Sequence, residues 1–263
     1  MLTAAYRRAC RIADAVVEWN TVPMSRLQPI IDAHHHIWSP RGTTHPWLMP
    51  DAAIPFRYGD YSEIKSDYLP SDYDADSSDF EVVGHVTMEA EWNPDDPVAE
   101  TAWTATAFEG RSDYLGHVAR AFLAKDDIEN VLAAHAAYPI VRGIRQKPTT
   151  QPRPSSARDA VTFGVAGGMT DPQWQRGYAM LQSHGLHFEL QTPWWHIDEL
   201  IALHARFPET PIVINHMFMP GDRAPETVAH WGRAIRRAAE LTATTIKISG
   251  MGLPGVAWRL SDH

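Results

Sequence analysis

The chain has 263 residues, 44% hydrophobic and 10% aromatic, which is enough for one substantial core, and its formal net charge at pH 7 is −9. An acidic balance without a cluster of lysine and arginine argues against a nucleic-acid surface and against a polybasic membrane contact. Cys10 is the single cysteine, which excludes a disulfide or a thiolate metal site within the chain and favours a cytoplasmic setting. No apolar run approaches the ~18 residues that a membrane span needs.

Residues 1–29 are predicted to form a helical extension outside the main fold. The stretch MLTAAYRRACRIADAVVEW mixes arginine and aspartate into its apolar residues, as an amphipathic helix does and a secretory signal does not. We therefore place the domain proper at residues 30–263, with no internal boundary.

From residue 30 onwards, short β-rich runs alternate with helical patterns. One helix opens at Thr170-Asp171-Pro172, with proline in its first turn, and closes at His184-Gly185. Such alternation predicts parallel strands joined by helical crossovers in an α/β fold. The strand-like runs lie at residues 30–38, 81–92, 114–123, 139–146, 186–191, 210–218 and 244–250.

Two long stretches interrupt this alternation, at residues 39–80 and 147–169, and both are predicted to be loops. Loops of this length in a compact domain are typically functional or disordered. Each follows the carboxyl end of a strand, where barrel enzymes build their active sites.

Three consecutive histidines end the first run, IDAHHHIW. Alternate side chains of a strand share a face, so we expect His34 and His36 on the same face as Asp32. Two imidazoles two residues apart can converge on one ion or one water, and histidine is both the commonest metal ligand and a natural acid or base. The alternative is that one or both only form hydrogen bonds within the core.

The sixth run also ends in an imidazole. His216 is predicted to share a strand face with Ile212 and Ile214. Beside His34 and His36 it would complete a set of neutral imidazoles that suits zinc and similar metals. Taken alone, it would rather be a core or rim histidine.

Polar side chains in the second, fourth, fifth and seventh runs form the candidate substrate-binding set. Gln191 ends the fifth run, where an amide is a poor zinc ligand but a good donor to a carbonyl. Arg145 of the fourth run would either clamp a substrate carboxylate at two points or pair with Glu89 or Glu91 at the end of the second run. We include Glu91 in the set, together with Lys247 of the seventh run.

The motifs IDAHHHIW with HPWL, VTMEAEW, VRGIRQ, LHFELQ, VINHMFMP and IKISGMG occur in one order over residues 30–256. This ordered set resembles the amidohydrolase-related family of the amidohydrolase superfamily. That family includes lactone hydrolases acting on sugar lactones and pyrone dicarboxylates, some of them with a divalent metal and others without. The resemblance implies a (β/α)8 TIM-barrel hydrolase that opens a lactone, or a related ester or amide, with an activated water.

The resemblance also implies site residues. His34, His36 and His216 would be the catalytic histidines and the ligands of a metal. Gln191 stands where metal-dependent relatives in the wider superfamily place a further histidine. We therefore expect at most one divalent ion, zinc in the first place, or none.

An eighth strand is not recognisable. The superfamily takes from the end of that strand an aspartate that activates the water, yet only GLPGVAWRLSDH follows the seventh run, and Asp262 does not end a strand-like run. We therefore expect a barrel that lacks its eighth strand–helix unit, as a truncated form of a longer enzyme would, with an open sheet edge and little turnover.

Other interpretations remain beside the lactonase. GMGLPG at residues 250–255 matches GxGxxG, but without a following crossover helix it does not predict a dinucleotide site. A decarboxylase of the same superfamily uses a similar His-x-His barrel, and a barrel that only binds a carboxylated ligand is the alternative of another class. We expect a small-molecule substrate, no nucleic-acid or membrane partner, and leave a homo-oligomer open.

Overall fold

The structure, a computed structural model, describes residues 28–41, 44–55, 59–154, 161–250 and 252. The predicted extension at residues 1–29 therefore falls almost wholly outside the described residues, and the division into extension and domain stays a prediction. The described chain forms two compact units that meet in sequence between His117 and Val118. We call the residues up to His117 the first unit and those from Val118 the second unit.

The described residues contain seven β-strands, which follow chain order in one sheet. The pairs formed by the first and second strands, and by the fourth to seventh strands in succession, are parallel. The strands are β1 (Ile30–His35), β2 (Val82–Met88), β3 (Tyr114–Arg120), β4 (Val141–Gln146), β5 (His187–Leu190), β6 (Ile212–Ile214) and β7 (Thr244–Ile246).

Six α-helices of the described chain alternate with these strands, one in each connection. Four of them begin with proline, whose missing N–H costs nothing in the first turn of a helix. The predicted start at Asp171 is confirmed, because its carboxylate caps the helix by accepting from the N–H of Gln173. The helices are α1 (Pro70–Ser77), α2 (Pro97–Ala107), α3 (Ile128–Ala136), α4 (Pro172–Met180), α5 (Ile197–Arg206) and α6 (Pro225–Ala239).

The predicted fold class is confirmed: parallel strands in chain order, joined by helices, define the α/β class of the (β/α) barrel type. The described residues show no eighth strand after β7. None of their helices is long and apolar enough to cross a membrane.

The prediction for residues 39–80 is corrected in part. Besides loop, this stretch contains helix α1 and two single 3-10 turns, Pro46–Leu48 and Ser62–Ile64. Helix α1 carries mainly aspartate and serine and has no apolar periodicity, which is why the sequence pattern did not indicate it. By contrast, no described residue of 147–169 lies in a helix or strand.

Six of the seven predicted strands are too long at their carboxyl ends, and the second, sixth and seventh each extend four residues too far. Strand β6 ends at Ile214, and the chain then takes left-handed backbone angles from His216 to Met219, with φ between 48° and 58°. A strand cannot continue through such angles. His216 therefore lies in a turn, and the prediction that it shares a strand face with Ile212 and Ile214 is wrong.

Each unit has an apolar core of its own. In the first unit, aromatic side chains dominate a small core that includes Trp38, Tyr73 and Phe108. In the second unit, a larger core packs the strands against their helices and includes fully buried Trp174 and Phe188. The polar side chains at the carboxyl ends of the strands are not part of either apolar core. Hydrogen bonds and opposite charges stabilise them instead.

Candidate functional site

His34 and His36 lie at the carboxyl end of β1, in the first unit. Their ring centroids are 5.2 Å apart, and the ring planes meet edge-on at 72°. Both side chains are partly buried. The structure thus brings these two imidazoles together.

The ring of His36 is oriented by the backbone that follows β2. Its Nδ1 lies 3.2 Å from the carbonyl oxygen of Met88 and 3.0 Å from that of Glu89. A carbonyl oxygen only accepts, so Nδ1 carries the proton of the neutral ring and the lone pair is on Nε2. Histidines that bind metals or accept protons are typically held in this way through their other ring nitrogen.

The middle histidine of the motif has a different role. Nε2 of His35 lies 2.8 Å from Nδ1 of His85, and its ring stacks on Tyr73 with centroids 3.9 Å apart. Burial, together with the charge that His85 would carry, holds the pKa of His35 well below its ordinary value. His35 is therefore a neutral core side chain, and its partner His85 was not foreseen from the sequence.

The chain turns sharply after β2. Glu91 has a left-handed φ of 58°, and its N–H donates to Oε2 of Glu89 at 2.9 Å. The side chain of Glu89 is buried. A left-handed non-glycine residue costs on the order of 1–3 kcal/mol and is often kept at a functional site. A substrate-binding role for Glu91 stays a prediction.

A buried polar cluster surrounds Glu189 on β5, in the second unit. Its carboxylate lies 2.7 Å from Nζ of Lys247 and 3.3 Å from Nε2 of His187, and it accepts from Nδ2 of Asn215. Burial raises the pKa of Glu189, but the hydrogen bonds and the charge of Lys247 outweigh it, so the pKa lies below its ordinary value. The carboxylate is thus ionised and paired inside the protein.

The sequence prediction omitted Glu189 and Asn215 from the site. A signal existed, since Glu189 shares the strand face of Gln191 two residues later. The structure pairs Lys247, predicted to bind substrate, with Glu189. A contact of Lys247 with substrate stays a prediction.

Arg145 and Gln191 lie near this cluster in the strand order. Arg145 is 4% exposed and is the register partner of Glu189 across the β4–β5 ladder, so their side chains leave the same face of the sheet. Gln191 directly follows β5 and is partly buried. The second unit therefore gathers Arg145, Lys247 and Glu189 at one end of its strands.

His216 lies in the turn that follows β6. Its Nδ1 is 3.0 Å from Oγ of Ser249. Gly250 packs so closely on this histidine that an added Cβ would collide with it, and its φ of 65° also favours glycine. The turn and the segment after β7 thus orient the His216 ring together.

The predicted metal ligands fall into both units, His34 and His36 in the first and His216 in the second. Within the described ranges, no three side chains of His, Cys, Asp or Glu form a group that could hold a metal ion.

The chain belongs to the amidohydrolase family, whose model matches residues 31–259. The uncharacterized protein y4mH of Sinorhizobium fredii is 30% identical over 238 residues, which cover 87% of this chain and 75% of that protein.

Two solved structures show the same fold. An amidohydrolase from Burkholderia multivorans with bound zinc has a TM-score of 0.65 at 20% identity, covering 84% of this chain and 69% of that chain. Amidohydrolase 2 from Bifidobacterium longum subsp. infantis has a TM-score of 0.56 at 20% identity, covering 88% and 76%. At these identities the likeness concerns the fold alone.

Proposed function

We propose that the chain is a hydrolase that opens a lactone, or a related ester or amide, of a small carboxylated or sugar-derived substrate. The observation that carries the proposal is the orientation of His36, whose Nδ1 faces two backbone carbonyls. Its Nε2 therefore has the lone pair that a general base needs. Membership of the amidohydrolase family supports a hydrolase.

In the proposed reaction, Nε2 of His36 accepts a proton from a water whose oxygen attacks the substrate carbonyl carbon. The carbon–oxygen bond of the ring then breaks, and the same proton passes from His36 to the leaving oxygen. A donor role for Gln191 toward the oxygen on which negative charge develops stays a prediction. A role for Arg145 in holding a substrate carboxylate by paired hydrogen bonds also stays a prediction.

A metal does not enter these steps. The zinc-bound amidohydrolase of Burkholderia multivorans suggests one, but a catalytic zinc needs three protein ligands besides its water. Of the three predicted ligands, His34 and His36 lie side by side, and the described residues contain no group of three donors that could hold a metal ion. His216 as the third ligand of a single zinc ion stays a prediction, which equilibrium dialysis against zinc tests. Two bound ions per chain would contradict it.

The activity test uses a panel of carboxylated, sugar-derived and neutral lactones, with hydrolysis followed as proton release in a pH-stat. We expect turnover that falls about 10²–10⁴-fold in kcat/KM on His36→Gln, the range that a general base contributes. His184→Gln is the matched control, because His184 lies in the 3-10 turn that precedes the amino end of β5 and not at the carboxyl end of a strand.

Two results would count against the hydrolase, and a third would count against its proposed base. Carbon dioxide release from carboxylated substrates would indicate the decarboxylase. Binding of a carboxylated lactone without turnover would indicate a ligand-binding barrel. An unchanged rate in His36→Gln would remove His36 as the base.

A further inference from the structure

The guanidinium of Arg153, in the loop after β4, is held on one side only. Its NH1 donates to Oγ1 of Thr227 at 2.7 Å and lies 3.6 Å from Oδ2 of Asp222. Among the described residues, no hydrogen bond or ion pair involves its Nε or NH2. The side chain as a whole is 34% exposed, so a ligand in solution can reach part of it.

The ring of Trp194, in the 3-10 turn after β5, lies against this guanidinium, with 5.2 Å between the ring centroid and Cζ of Arg153. Trp194 is 7% exposed, and its indole Nε1 is a buried donor without a hydrogen-bond partner in the described part of the chain. A buried donor left unpaired costs free energy. A ligand oxygen that accepts from Nε1 would remove that cost.

The backbone just before Arg153 is already fixed. The N–H of Gln151 donates to Nε2 of His196 at 3.1 Å, and its carbonyl oxygen accepts from Nε1 of Trp195 at 2.9 Å. His196 is held in turn by Glu199, whose carboxylate lies 2.5 Å from its Nδ1. This buried pair therefore orders the loop before a ligand arrives, which lowers the entropy cost of binding.

We propose that Arg153 and Trp194 bind a carboxylate group of the substrate. A carboxylate presents two coplanar oxygens that match the parallel N–H groups on the Nε–NH2 edge. Asp222 beside NH1 repels further negative charge, so the pair suits a monoanionic carboxylate better than a phosphate dianion. The loops that carry the pair follow the carboxyl ends of β4 and β5, where barrel enzymes bind their substrates.

The identity of the ligand as a substrate rests on the proposed function, whereas its binding does not. The test therefore begins with binding of the monoanion butyrate, measured by isothermal titration, with neutral butyramide as the matched probe. We expect saturable binding of butyrate and none of butyramide. Arg153→Gln should weaken the binding about 30-fold, and Trp194→Phe, which keeps an aromatic ring and removes the N–H, about tenfold. Arg176→Gln is the control, since Arg176 is an exposed arginine of the same unit that pairs with Asp126.

The proposal would be overturned if butyrate did not bind to the natural protein, or if it bound equally to Arg153→Gln and to the control. Thermal unfolding of each variant checks that it is folded, and Arg153→Lys provides a second variant that keeps the charge but loses the paired geometry. If a carboxylated lactone is hydrolysed, Arg153→Gln should raise KM for it and leave KM for a neutral lactone unchanged. Binding that persists without turnover would defeat the proposed function and leave this site standing.

Discussion

The polar groups at the ends of β1 and β5 are both enclosed by protein, but they are stabilised in different ways. At β1, backbone carbonyls hold the ring of His36 and the ring of His85 holds that of His35, so neutral groups pair with neutral groups. At β5, Glu189 is held by the opposite charge of Lys247. With its Nδ1 facing carbonyl oxygens, His36 can accept a proton at Nε2, whereas the carboxylate of Glu189 is ionised and paired. The first arrangement suits proton transfer, and the second suits a fixed charge.

Breaking the charged pair should have the largest effect on stability. Lys247→Met leaves the carboxylate of Glu189 buried without its counter-charge, and we expect a loss of about 3–5 kcal/mol in the free energy of unfolding by urea. The double variant Glu189→Leu with Lys247→Met should recover most of that loss. A single variant within about 1 kcal/mol of the natural protein would show that the pair is not enclosed as described.

Lowering the pH should decrease the free energy of unfolding in one pH range through His135 and in another through Glu189. Burial lowers the pKa of His135 from 6.5 to about 4, so the unfolded chain takes up a proton first as the pH falls. Stability should therefore decrease between pH 6.5 and 4, by up to about 1.4 kcal/mol per pH unit for this histidine. The measurement is the urea midpoint from pH 8 to pH 3, and His135→Gln should flatten the slope.

Glu189 provides the contrast in the same titration. Its pKa lies below its ordinary value of 4.5 in the folded protein, so its stabilising contribution is present above that value and is lost as the pH falls through the folded pKa. Glu189→Gln should therefore change the profile only below about pH 4.5. A changed slope between pH 5 and 6.5 in this variant would contradict the assignment.

Within the first unit, the hydrogen bond between His35 and His85 should make a moderate contribution to the free energy of unfolding. His85→Phe keeps the ring packing but leaves Nε2 of His35 without its partner at 2.8 Å. We expect a loss of about 1–3 kcal/mol, the cost of one buried unsatisfied polar atom. Urea unfolding at pH 8 measures it, where both rings are neutral. An unchanged midpoint would mean that His35 finds another partner.

The smallest stability effect is expected at the proposed base. His36 is only partly buried, and the amide of His36→Gln can still donate to the carbonyl oxygens of Met88 and Glu89. The free energy of unfolding should change by less than about 1 kcal/mol. A larger loss would assign His36 to the core, and the end of β1 would then have a structural role and not a catalytic one.

The sequence predicted some contacts of the candidate site and missed others, for a physical reason. The pairing of His34 with His36 follows from the two-residue period of a strand, which needs no knowledge of distant residues. The placement of His216 failed because left-handed angles in non-glycine residues leave no clear mark in the sequence. The Glu189–Lys247 pair escaped because it joins two strands through a contact that only packing creates.

Apart from helix α1, the sequence by itself determined the alternation and order of strands and helices, and it determined the three-histidine end of β1, because periodicity and capping are local properties. Only the tertiary structure decided the partner of each polar side chain. It decided that Nδ1 of His36 faces carbonyls, that Lys247 neutralises Glu189, and that Arg153 lies against Trp194. Each of these contacts joins segments far apart in the chain, and burial decides its strength.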